Sequence, residues 1–362
     1  MRILDKYILK RVAWSYLFIL LTFIGLYFIV DIFTNLSDIL KTTPSVGILL
    51  QYYFYSLPLI ILRVSPLSLL ISTLYTFGEL NKNNEVISIR SSGLSIIRIA
   101  APIVFFSLFV SATLFFLQEK SLMVSQKKVE DIKSKFIKEN LSSAAEERNL
   151  AFTSGNMIFF AGKFLPKDKT LENVKIFKQD ENRNIVQQIL CKSIIYEYGF
   201  WIGKNVVIYD LNRDGTITGI PSNWETKKIE LQEKPNELIF KKSMFSQFSS
   251  LETLGKEIES LRKINTKESL ASLIIDYNQK ITEPFSHLFL VIGILPIALE
   301  IKKRKVALSS LGVGFIFGFI YYAISSFSVA LGKSGLILPF FSAWLGPLFF
   351  LTVGITGLLL IR

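Results

Sequence analysis

The residues able to do acid–base or nucleophilic chemistry are few and scattered in this chain. His287 is the only histidine and Cys191 the only cysteine. No His-Glu-x-x-His, Cys pair or Gly-x-Ser-x-Gly occurs, so the common zinc-protease and serine-hydrolase signatures are missing. Gly332-Lys333-Ser334 echoes the end of a phosphate loop, but Phe327 stands where the first glycine belongs, and the tripeptide falls in a turn between apolar segments. His287 has no second histidine or visible partner near it and reads as a packed or interfacial residue. The sequence therefore assigns no catalytic residue, metal or cofactor.

Two charged positions are more informative. Arg63 sits well inside an apolar stretch, where a bare charge costs a few kcal/mol and normally faces a cavity or a partner. Asp31 lies near the outer end of another such stretch. Two readings stay open: an anion site for a lipid headgroup at the edge of an apolar cavity, or an internal Arg63–Asp31 pair or a snorkelling arginine.

A second cluster runs from Glu79 to Ser95 and reads as a complete short helix near 84–92. Asn84 is placed to cap it, Glu85 to complement the positive end of its dipole, Arg90 to sit in the last turn, and Gly93 to supply a left-handed stop. Val86 with Ile89, or Ile87 with Arg90, would share a face. Docking of a soluble partner and a plain surface helix both fit.

These residues must be positioned by membrane helices. Half of the residues are hydrophobic and mean hydropathy is +0.42, yet 19% are charged, the mixture expected of a membrane protein carrying a water-exposed insert. Six segments are near the length that crosses about 30 Å of hydrocarbon: Val12–Phe33, Tyr53–Thr76, Ile99–Leu117, Ile281–Leu299, Val306–Leu331 and Leu336–Leu360. The first reads as a retained anchor, since its apolar run exceeds that of a signal peptide and no small-residue cleavage site follows.

Basic residues cluster at one set of span ends: Arg2, Lys6, Lys10 and Arg11, then Lys82, Arg90 and Arg98, then Lys302 to Lys305, then Arg362. The opposite ends offer only Lys41 and Lys333, so the positive-inside rule puts both termini in the cytoplasm. The net charge of +12 mostly reflects these cytoplasmic rims and lysines in the external domain, and both anionic lipids and ordinary solubility with topology signals fit it.

The expected organisation is spans one to three in 1–120, an external domain in 121–280 and spans four to six in 281–362. Gln118–Asn140 keeps helical spacing. Short apolar or alternating runs follow at Met157–Phe164, Val174–Phe177, Ile185–Leu190, Ser193–Tyr198, Asn205–Tyr209, Thr216–Ile220 and Lys228–Leu231, the pattern of a β-sandwich or jelly roll. Leu251–Lys263 returns to helical period, with Leu251, Leu254, Ile258 and Leu261 on one face. A lone cysteine leaves this domain to be held by its core. Gly314 and Gly318, with Gly312 beside them, allow close helix approach in the fifth span.

The order of several short motifs around this β-rich insert resembles the LptF/LptG family of lipopolysaccharide export permeases. They are Leu57-Pro58 and Pro66-Leu67, Leu80 through Ser95 with Glu85 and Gly93, Glu283-Pro284, Gly293 with Pro296, Tyr321-Tyr322, and Ala343-Trp344 near Pro347. The resemblance covers nearly the whole chain. It implies an α-helical inner-membrane protein with six transmembrane helices and an inserted all-β, jellyroll-like periplasmic domain. It also implies a heterodimer with a homologous permease, a separate cytoplasmic ABC ATPase, a periplasmic lipid-bridge protein, lipopolysaccharide as cargo, and no nucleic-acid partner.

The same resemblance gives Glu85, Val86, Ile89, Arg90 and Gly93 an ATPase-coupling role. It has spans one and five open and close a lateral cavity, with the jellyroll interior receiving the lipid. The family's basic cluster at the outer end of span one is reduced here to Lys41, beside Asp31 and Asp38; Arg63, Asp31 and Lys41 are the candidate headgroup contacts. Two other classes fit the composition: a membrane scaffold anchoring a β domain, and a lipid-modifying enzyme, for which no convergent acid, base or metal cluster is visible.

Overall fold

The computed structural model describes residues 3–136, 147–180, 184–212, 216–231, 235, 250–264, 267–300 and 306–360. Arg2, Lys302 to Lys305 and Arg362, used above to orient the spans, lie outside them, as do residues 137–140 of the helix expected to reach Asn140. Contacts divide the chain into two compact units, one formed by residues 1–125 and 278–362 and the other by 126–277.

The first unit is helical. Long apolar runs satisfy every backbone group within the helix, the solution a bilayer demands. The helices are α1 (Ile3–Thr34), α2 (Leu36–Thr42), α3 (Val46–Lys82), α4 (Glu85–Ser91) and α5 (Ile96–Phe136), then α7 (Lys267–Glu300), α8 (Val306–Lys333) and α9 (Pro339–Leu360). Between them lies α6 (Leu251–Ile264), in the second unit. Six are long and apolar enough to cross a membrane: α1, α3, α5, α7, α8 and α9.

Six prolines inside the described helices, among them Pro58 and Pro66 in α3, are tolerated because neighbouring hydroxyls and helices re-satisfy the backbone. Ser56, Ser68, Ser72 and Thr73 each donate to a carbonyl of their own helix at 2.8 Å. The core joins Leu70, Leu74 and Phe77 of α3 to Leu290, Ile294 and Leu295 of α7, with Ile8 and Val12 of α1 and Ile99 and Ile103 of α5.

α3 and α8 pack closely at two of the anticipated glycines. A Cβ on Gly314 would lie 2.5 Å from Ile71 Cγ1, and one on Gly318 2.8 Å from Leu67 Cδ1. Gly312 meets nothing within 4 Å and takes no part. Burial is uneven: 61% of the apolar stretch of α7 is covered by the chain itself, against 6% for α1.

The second unit carries a six-stranded antiparallel sheet, β1 (Glu147–Ser154), β2 (Met157–Leu165), β3 (Thr170–Gln179), β4 (Ile185–Glu197), β5 (Phe200–Leu211) and β6 (Ile217–Ile229). Each described strand pairs with its sequence neighbour. Side chains alternate between faces. Phe152, Phe159, Ile176, Trp201 and Val206 build one apolar cluster, with Phe152 and Phe159 stacked at 5.0 Å. Ile158 and Phe177 turn to the other face and meet Leu254 of α6 and Leu273, in the first turns of α7, which belong to this second unit. Ile258 joins them, whereas the Leu261 side chain lies outside the described residues.

Strand limits differ from the sequence expectation in three places. Ile185–Leu190 and residues 193–197 belong to a single strand, because Cys191 and Ser193 pair in continuous register with β3 on one side and β5 on the other. Most of Thr216–Ile220 and the start of Lys228–Leu231 are likewise joined in β6, whose register shifts opposite Ile208 and Asp210, beside Pro221; a bulge there accommodates a residue with no N–H. β1 was not anticipated, although Leu150 and Phe152 carry its period-two signal.

Candidate functional site

α4 is the short helix expected between the second and third spans, and its ends are set by backbone geometry. Gly93, at φ +86°, follows it and donates its N–H to the Arg90 carbonyl at 2.9 Å, the left-handed stop anticipated. The capping expectation for Asn84 is overturned: it is itself left-handed, at φ 57°, and its side chain makes no cap hydrogen bond. In that conformation its side chain is turned from the first N–H groups of the helix, whereas a capping residue is extended.

Glu85 occupies the first turn and reaches across to α1. Arg11 Nη1 lies 3.3 Å from Glu85 Oε1, and the Tyr7 hydroxyl donates to Oε2 at 2.7 Å. Tyr7 and Arg11 sit one turn apart on α1, the guanidinium 4.6 Å from the ring centroid, so a stacked cation–π pair presents both donors together. Asn83 adds a longer contact of 3.4 Å to Oε1.

The remaining α4 positions separate by face. Val86 is buried and Ile89 half-buried, both against the helical core, while Ile87 and Arg90 are exposed. Val86 and Ile89 thus fasten α4 to its own bundle, and Ile87 and Arg90 form the outward surface.

Asp31, Arg63 and Lys41 are not brought together as an ion-paired group. Asp31 accepts a hydrogen bond from Tyr53 at 3.2 Å, and Tyr53 packs on Phe28 at 4.9 Å. Arg63 stands further along α3, about 15 Å of helix rise from Tyr53, exposed and with no ion pair among the described residues. The internal Arg63–Asp31 pair is therefore not formed. The side chain of Lys41 lies outside the described residues.

Sequence reading missed two buried polar links. The first joins three helices: Tyr16 of α1 lies 2.6 Å from Ser65 of α3, Ser65 Oγ lies 2.8 Å from His287 Nε2 of α7, and His287 Nδ1 lies 2.7 Å from the Pro284 carbonyl. A carbonyl only accepts, so Nδ1 carries the proton, Nε2 accepts from Ser65, and Tyr16 donates to Ser65. The second is Lys280 of α7 with Glu119 of α5, at 3.4 Å, the Lys280 side chain only 4% exposed. Neither has a sequence signal, since each pair is distant along the chain.

No group of three or more potential metal ligands occurs among the described residues. Cys191, on β4, is buried, and that burial pushes its thiol up from the ordinary 9.0 to about 12, which leaves it protonated and unreactive.

No curated protein matches the chain at a significant level. A family model described as lipopolysaccharide export system permease LptF/LptG matches residues 6–361. With six membrane-length helices, a β domain inserted between the third and fourth, and a match over essentially its whole length, the chain belongs to the LptF/LptG family of lipopolysaccharide export system permeases.

Proposed function

We propose that this chain is one permease subunit of an ATP-driven exporter that extracts lipopolysaccharide from the inner membrane and hands it to a periplasmic bridge. Hydrolysis takes place on a separate cytoplasmic ATPase; a homologous permease completes the membrane part. Both termini are cytoplasmic, so α4 lies on the ATPase side and the β domain in the periplasm.

The observation that carries this reading is the Glu85 bridge. α4 is tied through Glu85 to Tyr7 and Arg11 of α1, and α1 is the span least covered by its own chain. A displacement of α4 by a partner is thereby delivered to the span whose apolar surface the chain itself covers least. Exposed apolar side chains on α1 and α8, including Phe18, Leu21, Phe315 and Phe319, provide an apolar wall for acyl chains. Arg63, exposed midway along α3, together with Asp31 and Lys41, is assigned to the polar groups of the cargo. Val86, Ile89 and Gly93 hold the shape of α4, and Arg90 faces the ATPase. In the β domain, β6 is an edge among the described strands, with Ile220 and Trp224 exposed, and suits strand addition by the bridge protein.

The test is Glu85→Ala in the full complex, reading ATP hydrolysis and lipopolysaccharide release separately. Uncoupling is expected: hydrolysis continues and export falls. Normal export by a correctly assembled variant would sink the coupling role.

A further inference from the structure

A groove with a charge pair at its mouth runs between α1 and α5, away from the Glu85 bridge and from Arg63. Its volume is about 500 Å³, within the range of roughly 300–1,000 Å³ typical of small-ligand sites. Leu9, Ala101, Pro102, Phe105, Phe106 and Phe109 make its apolar length, and Asp5 and Arg98 close one end.

The charge pair is specific in form. Arg98 Nη2 lies 2.7 Å from Asp5 Oδ1 and 2.8 Å from Oδ2, so a single nitrogen of a guanidinium that carries five N–H donors meets both carboxylate oxygens. Asp5 is in the first turn of α1, and Arg98 is at the start of α5, so the pair sits where both helices begin. From Arg98 to Phe109 the helix rises roughly 16 Å, which matches half of a hydrocarbon core about 30 Å thick. The groove is one leaflet long, ends at the interface in a paired positive and negative charge, and opens sideways along Phe105 and Phe109, both largely exposed.

We propose that this groove holds one phospholipid with a zwitterionic head, its phosphate on Arg98, its ammonium on Asp5 and an acyl chain along Phe105 and Phe109. The neighbouring opposite charges complement a headgroup dipole; a polyanionic glycolipid head would meet Asp5 unfavourably. Phe106 lines the groove and packs edge-on against Tyr16 at 5.8 Å, so the resident lipid bears on a contact between α5 and α1. This assignment is independent of which cargo the exporter carries.

The test is native mass spectrometry of the full-length protein in its purified complex. After detergent exchange it is titrated with dioleoyl phosphatidylethanolamine and, separately, with dioleoyl phosphatidylglycerol. The expected result is one tightly held phosphatidylethanolamine, bound about tenfold more weakly by Ala101→Trp, which fills the groove, and a preference over phosphatidylglycerol that falls about tenfold in Asp5→Asn. If Ala101→Trp does not assemble, Ala101→Leu is expected to shift binding in the same direction. Unchanged binding by the filled variant, equal binding of the two lipids by the wild type, or a partner helix crosslinking to position 105 in place of lipid overturns the proposal.

Discussion

Ser65 on α3 donates to His287 on α7 across 222 positions of sequence, at 2.8 Å and with both residues fully buried. The direction of every hydrogen in this chain is fixed by the Pro284 carbonyl, which forces the proton onto Nδ1. Replacing Ser65 by Ala strands the Nε2 acceptor in an apolar interior and is expected to cost about 1–3 kcal/mol, whereas Tyr16→Phe, which removes only the outer donor, is expected to cost about 0.5–1.5 kcal/mol. Thermal unfolding of the purified variants checks the order, and a Tyr16→Phe loss larger than that of Ser65→Ala contradicts it.

The Arg11–Glu85 contact is partly exposed, and exposed ion pairs contribute only about 0–1 kcal/mol. Arg11→Ala is therefore expected to leave the unfolding temperature nearly unchanged while lowering export in the same way as Glu85→Ala. A variant that exports normally shows that Tyr7 alone suffices to carry the link.

Lys280 and Glu119 behave oppositely, because Lys280 is buried. Taking the carboxylate away from a buried ammonium is costly, so Glu119→Leu is expected to lose about 3–5 kcal/mol, whereas Glu119→Leu combined with Lys280→Met is expected to recover most of it. Denaturation of the single and double variants in the same detergent is the measurement.

Cys191 supplies the pH prediction. Its folded thiol titrates near 12 instead of 9.0, so folding favours the neutral form. The resulting stability is fully present below pH 9 and is lost as pH rises from there towards 12, because only the unfolded thiol ionises in that window. Folded protein at pH 8 should resist iodoacetamide, and unfolded protein should be alkylated at once. Rapid labelling of the folded chain would mean that β4 is not packed as described.

The short helix and its left-handed stop were legible because local rules set them: Gly93 ends α4 where a glycine can adopt φ +86°. Asn84 was misread for the opposite reason. Its side chain is a good cap in an extended backbone, but the tight connection from α3 puts that residue in the left-handed region, which asparagine also tolerates. β6 was only half visible, since Pro221 and the polar residues after it separated two short runs until β5 pairs with the whole segment through a bulge.

By itself the sequence determined six membrane helices, an inserted β domain and the family, because apolar length, alternation and motif order are properties of neighbouring residues. Only the tertiary structure decided which polar groups meet. It gave Glu85 to Tyr7 and Arg11, Asp31 to Tyr53, His287 to Ser65 and Lys280 to Glu119, and left Arg63 without an ionic partner among the described residues. Such pairings depend on helix rotation and crossing, set by packing contacts such as Gly314 against Ile71 that no single segment encodes.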